Sequence, residues 1–318
     1  MGLYRIETRR LVKSEIYYLV KDVRVGDTTS KIRVKLGNTK PKNEKELITK
    51  PNKELELKAI EKRLGKQRSK ARYLIPEMQR RVDETRFWIP IISMFYPSEY
   101  EATETLHETE YIAGTTAIEG NTLSVSQVED LIKRGIEPAG KSLKDQLEVL
   151  NAEKAGKYRE EYNGRVSIQF ILKLHELMMD RIKNAQPGGF RKVDVWILGE
   201  DIQVTPAIQI GEELNEAIAD YYYRVKTGGH PFEEAVIFHH RFELIHPFGD
   251  GNGRVGREVL RRMLAKAGYP DILIRREDRE KYLDALRAGS RGEKGQMVKA
   301  FVDLLVSDKR AKLFKEIL

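Results

Sequence analysis

Residues 245–257 read IHPFGDGNGRVGR. Ala235, Phe238, Phe242 and Ile245 lead into this run at spacings of three, four and three, which is one face of a helix. Pro247 disfavours the α region for the residue before it, so His246 is expected where the helix ends, on a loop. Val255, Val259 and Met263 then recur every four residues, Leu260, Leu264 and Ala267 widen the stripe, and Gly268 with Pro270 stops it. The stretch therefore reads as helix, glycine-rich loop, helix.

Such a loop leads into a helix N-terminus, where free N–H groups and the positive end of the dipole attract anions. Gly251, Gly253 and Gly256 let the backbone fold around one. Arg254 and Arg257, three apart, share a helix face at that same end, where two cations oppose the dipole at a cost of roughly 0.3–1 kcal/mol each. A polyphosphate bound between them would remove the conflict, since arginine matches phosphate oxygens with paired donors. Asp250 is an oxygen ligand of the kind Mg²⁺ uses, and His246 is suited to take a proton near neutral pH. Residues 251–256 also fit GxGxxG, but a dinucleotide site needs a strand before it, and here the preceding segment is helical. Neither that fold nor a P-loop is expected.

The chain has 318 residues, 40% hydrophobic and 33% charged, enough for two or three domains with a sizeable core. It has no cysteine, which excludes disulfides and thiolate metal sites and predicts a cytoplasmic protein. No long apolar run predicts a membrane span, and the opening MGLYRIETRR has no signal-like core. The net charge of +8 is uneven: residues 1–100 hold 24 Lys/Arg against 13 Asp/Glu. A basic first third leaves nucleic acid open as a partner, beside the plainer reading of a solvated Lys/Glu surface.

Ile6, Leu11, Ile16, Tyr18 and Val20, the Gly26-Asp27 turn and Ile32–Leu36 predict a small antiparallel sheet. Residues 38–52 read as a polar linker, so 1–52 form a sheet module with its linker. Residues 53–85 read as a long charged helix broken before Pro76, within a helical connector over 53–104. Residues 105–318 form the main helical domain. Inside it, Val193, Val195 and Ile197, the Gly199-Glu200-Asp201 turn and Ile202–Val204 predict a β-hairpin, whose open edge could dock an extended segment of another protein. His239 and His240 are adjacent and point about 100° apart, so they cannot share a metal. His107, His175 and His230 are isolated and expected to be structural, and no HExxH spacing suggests zinc.

The run from His246 to Arg257 closely resembles the Fic signature H-P-F-x-[D/E]-G-N-G-R-x-x-R, with every specified position filled. The resemblance covers about residues 105–300. It includes Leu174-His175-Glu176-Leu177-Met178, Gly188-x-Phe190-Arg191 and His239-His240-Arg241-Phe242. It implies an all-α bundle with a β-hairpin flap, and transfer of AMP from ATP to a Ser, Thr or Tyr hydroxyl of a target protein aligned on residues 193–204. On it, His246 is the general base and Asp250 holds Mg²⁺ or Mn²⁺. Gly251, Asn252, Gly253, Arg254 and Gly256 surround the α- and β-phosphates, and Arg257 takes the γ-phosphate. Phe248 points into the core. Ser290 lies in the segment that flanks adenine, where other members often carry Asn, so the base contact differs here.

A second stretch, Thr115–Asn121, bears on control. Gly120 or Asn121 would end a helix, which leaves Glu119 in the last turn, where a carboxylate opposes the dipole. Thr115, Glu119 and Gly120 match the Fic inhibitory motif [S/T]-x-x-x-E-[G/N]. The resemblance implies that Glu119 pairs with Arg257 and keeps the γ-phosphate from its productive place. An Arg–Glu pair in a partly dry pocket competes directly with Arg–phosphate. The resulting expectation is a self-inhibited AMP transferase. The alternatives are an enzyme that uses Glu119 to remove AMP, or that runs both reactions, and a nucleic-acid-associated regulator with a vestigial site. Assembly into a homo-oligomer is left open by the sequence.

Overall fold

In the computed structural model, residues 3–65, 69–182, 186–196 and 204–317 are described. The strands are β1 (Arg5–Arg10), β2 (Glu15–Val25) and β3 (Thr28–Gly37). The helices are α1 (Glu44–Thr49), α2 (Lys53–Leu64), α3 (Pro76–Thr85), α4 (Trp88–Phe95), α5 (Pro97–Ile118), α6 (Val125–Glu129), α7 (Leu143–Glu161), α8 (Ile168–Met178), α9 (Ile210–Lys226), α10 (Pro231–Ile245), α11 (Asn252–Lys266), α12 (Arg279–Ser290), α13 (Lys294–Val306) and α14 (Lys309–Ile317). The chain divides into one unit of residues 1–68, 83–101 and 309–318 and another of 69–82 and 102–308. Among the described residues, no helix is long and apolar enough to cross a membrane.

In the first unit the strands pair antiparallel in the order β1-β2-β3, as their alternation predicts, with Gly26 supplying the left-handed turn at φ 59°. Tyr4, Leu19, Val23, Ile32 and Val34 form a buried cluster with Leu55 and Ala59 of α2. The N-cap Asn52 accepts the Leu55 N–H at 3.0 Å and fixes the start of that helix. Glu56 faces inward and is satisfied by the Tyr4 hydroxyl at 2.7 Å and the Lys21 ammonium at 2.6 Å. On the sheet's charged side, Arg5 pairs with Asp22, while Lys31 and Arg33 pair with Glu7. Part of the basic charge of the sheet is therefore paired locally. Trp88 of α4 lies against Phe314 of α14, ring centres 6.3 Å apart.

One sequence expectation changes here: the stretch 38–52 is not all linker, because α1 occupies Glu44–Thr49 within it. The expected break before Pro76 is present: Gly65 caps α2, and Pro76 opens α3, where its missing N–H costs nothing.

The second unit is helical. The stripes read around the signature are core: Ala235, Phe238, Phe242, Ile245, Phe248, Val255, Val259 and Met263 are all buried. Helix α11 packs against α7, α8 and α10 and is continuously buried from Arg254 to Leu264, its arginines included. The last two turns of α5, from Tyr111 to Ile118, are continuously buried. They approach the 272–275 segment so closely that a side chain at Gly114 would strike the Ile274 carbonyl.

The expected hairpin is not found among the described residues. Residues 197–203 lie outside them, and neither 193–196 nor 204–206 is a strand. Arg191 donates to the Val193 carbonyl at 2.8 Å and to the Thr205 carbonyl, so one buried cation holds main-chain acceptors on both sides of residues 197–203.

A carboxylate ties residues 72–74 to α10. Glu233, fully buried, accepts the N–H groups of Arg72 at 2.9 Å, Tyr73 at 2.8 Å and Leu74 at 2.9 Å. Removing the acceptor leaves three donors unmet, and an unmet buried donor costs roughly 1–3 kcal/mol. Glu233→Ala should lower stability by about 3 kcal/mol or more in urea unfolding. A loss under about 1 kcal/mol would show that water replaces the carboxylate.

Candidate active site

The site is built where α10 ends, α11 begins and α5 stops. His246 caps α10 in the left-handed conformation, φ 49° and ψ 59°, unusual for a residue with a Cβ. Three bonds hold the strain: its N–H reaches the Phe242 carbonyl at 3.0 Å, its carbonyl accepts Arg191 Nε at 2.8 Å, and the next carbonyl, of Pro247, accepts the Arg191 N–H at 2.9 Å. The imidazole Nδ1 lies 3.3 Å from the Glu243 carbonyl. Nδ1 therefore carries the proton and Nε2 is left as the basic nitrogen. Burial pulls the His246 pKa below its ordinary value, opposed by the Glu243 carbonyl and the charges of Glu119 and Asp250.

Loop 248–252 is closed from within. The Asn252 amide accepts the Phe248 N–H at 2.9 Å and donates to its carbonyl at 2.8 Å. Its role is to shape the loop, and its side chain is already committed. Phe248 is buried, as expected, and stacks on His175 at 3.7 Å between ring centres. His175, expected to be structural, shapes the same loop. The Gly188 N–H donates to its Nδ1 at 3.1 Å, so Nε2 carries the proton and donates to the Asp250 carbonyl at 3.1 Å. Burial holds His175 neutral, its pKa pushed down to about 4. Gly251 begins α11 at φ 83°, where a side chain would also meet Met179.

The two signature arginines are buried and differently engaged. Arg254, 2% exposed, donates to Glu148 at 3.2 Å and to Asp250 Oδ1 at 3.0 Å. Glu148 also accepts the Asn121 amide at 2.9 Å. Asp250 is exposed, and its Oδ1 additionally accepts the Gly251 N–H at 2.6 Å. Among the described residues no group of three His, Asp or Glu could cage a metal. A single exposed carboxylate still fits Mg²⁺, which keeps its waters and completes its shell with phosphate oxygens.

Arg257, 3% exposed, donates Nε to Thr115 Oγ1 at 2.8 Å and Nη2 to both the Thr115 carbonyl at 2.9 Å and Glu119 Oε1 at 2.8 Å. Burial alone would lower its pKa, but Glu119 and Tyr282 beside it raise the value, so the guanidinium stays charged. Glu119 follows α5 directly and Gly120 turns the chain at φ 96°. Arg279 Nε takes the Ile118 carbonyl at 2.9 Å and Arg276 the Asn121 carbonyl at 2.8 Å. The negative helix end that would repel Glu119 is thus covered by cations. Gly253 makes room for the pair, since a Cβ there would meet the Glu119 carboxylate and lie 2.8 Å from Arg257 Nη1.

A cavity of about 220 Å³ contains Glu119, His246, Gly253 and Arg257, with Tyr282, Leu283, Leu286 and Ser290 along another wall. Ser290 Oγ lies 3.1 Å from His240 Nε2. Thr115 and Gly256 stand behind this surface. In the structure Gly256 has its own reason to lack a side chain, because a Cβ would press on Phe242 and on Glu243 Oε1. That oxygen is buried without a hydrogen bond, and burial lifts the Glu243 pKa to about 7 against the pull of Arg257. Glu243 escaped the sequence reading; its only trace there is its position one turn before His246.

Residues 135–142, GIEPAGKS, spell GxxxxGK[ST]. Their context is not that of a P-loop: a π-helical turn at Asp130–Arg134 precedes them, where a P-loop has a strand. Lys141 Nζ is spent on the Thr122 carbonyl at 2.8 Å, and Ser142 caps α7.

Comparison with known proteins agrees with this geometry. Residues 165–264 match the Fic/DOC family model. A protein adenylyltransferase Fic of Nematostella vectensis is 29% identical over 232 residues, 70% of this chain and 53% of that protein. Protein adenylyltransferase fic-1 of Caenorhabditis elegans is 30% identical over 189 residues, 58% of this chain and 37% of that protein. The chain thus spans about half or less of the length of these curated relatives. A Fic domain containing signaling protein from Bacteroides thetaiotaomicron shares the fold with a TM-score of 0.63 at 24% identity, over 74% of this chain and 95% of that one. The run from His246 to Arg257 therefore lies inside the part of the chain, residues 165–264, that is similar to a Fic/DOC family domain.

Proposed function

We propose that the protein is an AMP transferase that moves AMP from ATP to a hydroxyl of a target protein and is restrained by its own Glu119. The observation that carries this reading is the single cavity containing His246, Gly253, Arg257 and Glu119. The names of the Fic relatives support the transfer, and the 2.8 Å Glu119–Arg257 pair supports the restraint.

In the forward reaction the neutral His246 Nε2 takes the proton of the target hydroxyl. The hydroxyl oxygen bonds to the α-phosphorus, the bond to the β-phosphate oxygen breaks, and pyrophosphate leaves. The N-terminus of α11 with Gly251, Gly253 and Arg254 holds phosphate oxygens, and Ser290 with His240 borders the base. Asp250 would hold a divalent cation, Mg²⁺ or Mn²⁺, which offsets charge on the phosphates when bound. Arg257 would secure the γ-phosphate once free. As it stands, its Nη2 is engaged by Glu119 and Thr115. A phosphate must therefore displace a charge-assisted bond to bind there.

Three outcomes test this reading. Glu119→Gly should raise transfer of α-label from ATP, self-modification included, by at least tenfold, the effect of about 1.4 kcal/mol. Adding Arg257→Ala should remove most of the gain. Unchanged or lower transfer by a folded Glu119→Gly would discard the restraint and favour removal of AMP as the role of this carboxylate.

His246→Ala in the Glu119→Gly background should lower transfer about 10²–10⁴-fold while ATP binding persists, as measured by calorimetry. Near-normal labelling would sink the base assignment.

The acid limb of kcat/KM reports the base in the free enzyme. Burial lowers the His246 pKa, so the neutral base survives to lower pH, and Glu119→Gly removes one charge that raises it. The limb in that variant should lie below the ordinary histidine value of about 6.5. A limb at or above that value would contradict the burial argument.

A further inference from the structure

A second cavity, of about 260 Å³, opens between the 163–166 loop, α9 and the C-terminal part of α11. Its wall carries Arg165, Tyr221, Tyr222, Arg262, Met263 and Lys266, three cations with no carboxylate among the lining residues. Arg262 lies five residues beyond Arg257. That is about 7.5 Å further along the helix and roughly 140° around it, so this cavity faces away from the candidate active site.

Arg262 is the unusual group. It is 6% exposed, and its described partners are neutral carbonyls, Gly164 at 3.0 Å and Arg159 at 3.4 Å. Its Nε is buried with no hydrogen-bond partner. The aromatic face of Tyr162 lies 5.4 Å from the guanidinium, and burial and the charge of Arg159 both disfavour its protonated form. A buried cation without a counter-ion is costly. Lys266, in the last turn of α11, has an ordinary explanation in the helix dipole. Arg262 does not: it is buried, one turn earlier, with a donor unused.

The neighbouring groups share the same bias. The Arg165 guanidinium sits over the Tyr222 ring at 5.1 Å. The Tyr222 hydroxyl accepts the Val166 N–H at 2.7 Å, which leaves its own hydrogen to donate. Burial raises its pKa, so that hydrogen is retained at neutral pH. Around one cavity the chain therefore offers three cations, a phenol donor and apolar ring surface.

We propose that this cavity is a second anion site, separate from the candidate active site, that takes the phosphate group of a small phosphate monoester with a flat organic part. Arg262, Arg165 and Lys266 supply the charge, with guanidinium forks matched to phosphate oxygens. Tyr222 and Met263 supply the surface for the flat part.

The probes are phenyl phosphate, inorganic phosphate and benzoate, titrated calorimetrically into the full chain at about 0.15 M salt. Phenyl phosphate should bind saturably and more tightly than inorganic phosphate or benzoate. Arg262→Gln should weaken it at least tenfold. So should the surface pair Arg165→Gln with Lys266→Gln, which keeps the test alive if Arg262→Gln does not fold. Arg257→Ala should leave the affinity unchanged. The proposal fails if phenyl phosphate shows no saturable binding at millimolar concentrations, or if the surface pair binds it like the parent chain. Loss of binding only in Arg257→Ala would assign the anion to the candidate active site, and tighter binding of benzoate would remove the phosphate assignment.

Discussion

The helical unit is organised by the burial of arginines on α11. Four of them, Arg254, Arg257, Arg261 and Arg262, are each no more than 6% exposed. A guanidinium cannot shed its proton to escape a dry site, so each must find acceptors, and those acceptors come from distant parts of the chain. Arg254 draws Glu148 of α7, Arg257 draws Thr115 and Glu119, and Arg261 draws Glu108 of α5 at 2.6 Å and Asp271 at 2.8 Å. Arg262 is left with backbone carbonyls. The placement of α5 and α7 around α11 is thus set by charge satisfaction as well as by apolar packing.

The same constraint gives the candidate site its character. A helix N-terminus carrying two buried cations is prepared for an anion, and in this structure carboxylates occupy the cations. Asp250 lies half in solvent on Arg254, and Glu119, 32% exposed, lies on Arg257. Both carboxylates reach water, unlike Glu148, which is buried on Arg254. On the proposed reading, a phosphate would compete with the exposed carboxylates and leave the buried one as scaffold. The strained His246 backbone is fixed on both sides by Arg191 and α10.

Much of the helical unit was legible in the sequence because its information is local. The stripes from Ala235 to Ile245 and from Val255 to Met263 are read by counting, and the Pro247 rule places His246 beyond a helix end. The letters from His246 to Arg257 carry a spacing that chance does not produce. Alternation likewise announced the N-terminal sheet. Local reading failed at residues 44–49, which look like linker, yet form α1.

What the sequence determined by itself was the chemistry available: a base, an oxygen ligand, glycines without side chains and two cations at the head of a helix. What only the tertiary structure decided was which of these groups are already spoken for. Asn252 is committed to the backbone of Phe248, His175 to the Asp250 carbonyl, and Glu233 to three amides some 160 residues away in sequence. Glu243, Glu148 and Arg262 look like ordinary charged positions until burial is known. The physical reason is that a charge on the chain has one meaning in water and another beside a partner in a dry interior. Side-chain identity fixes the charge, and only packing fixes the partner and the dielectric.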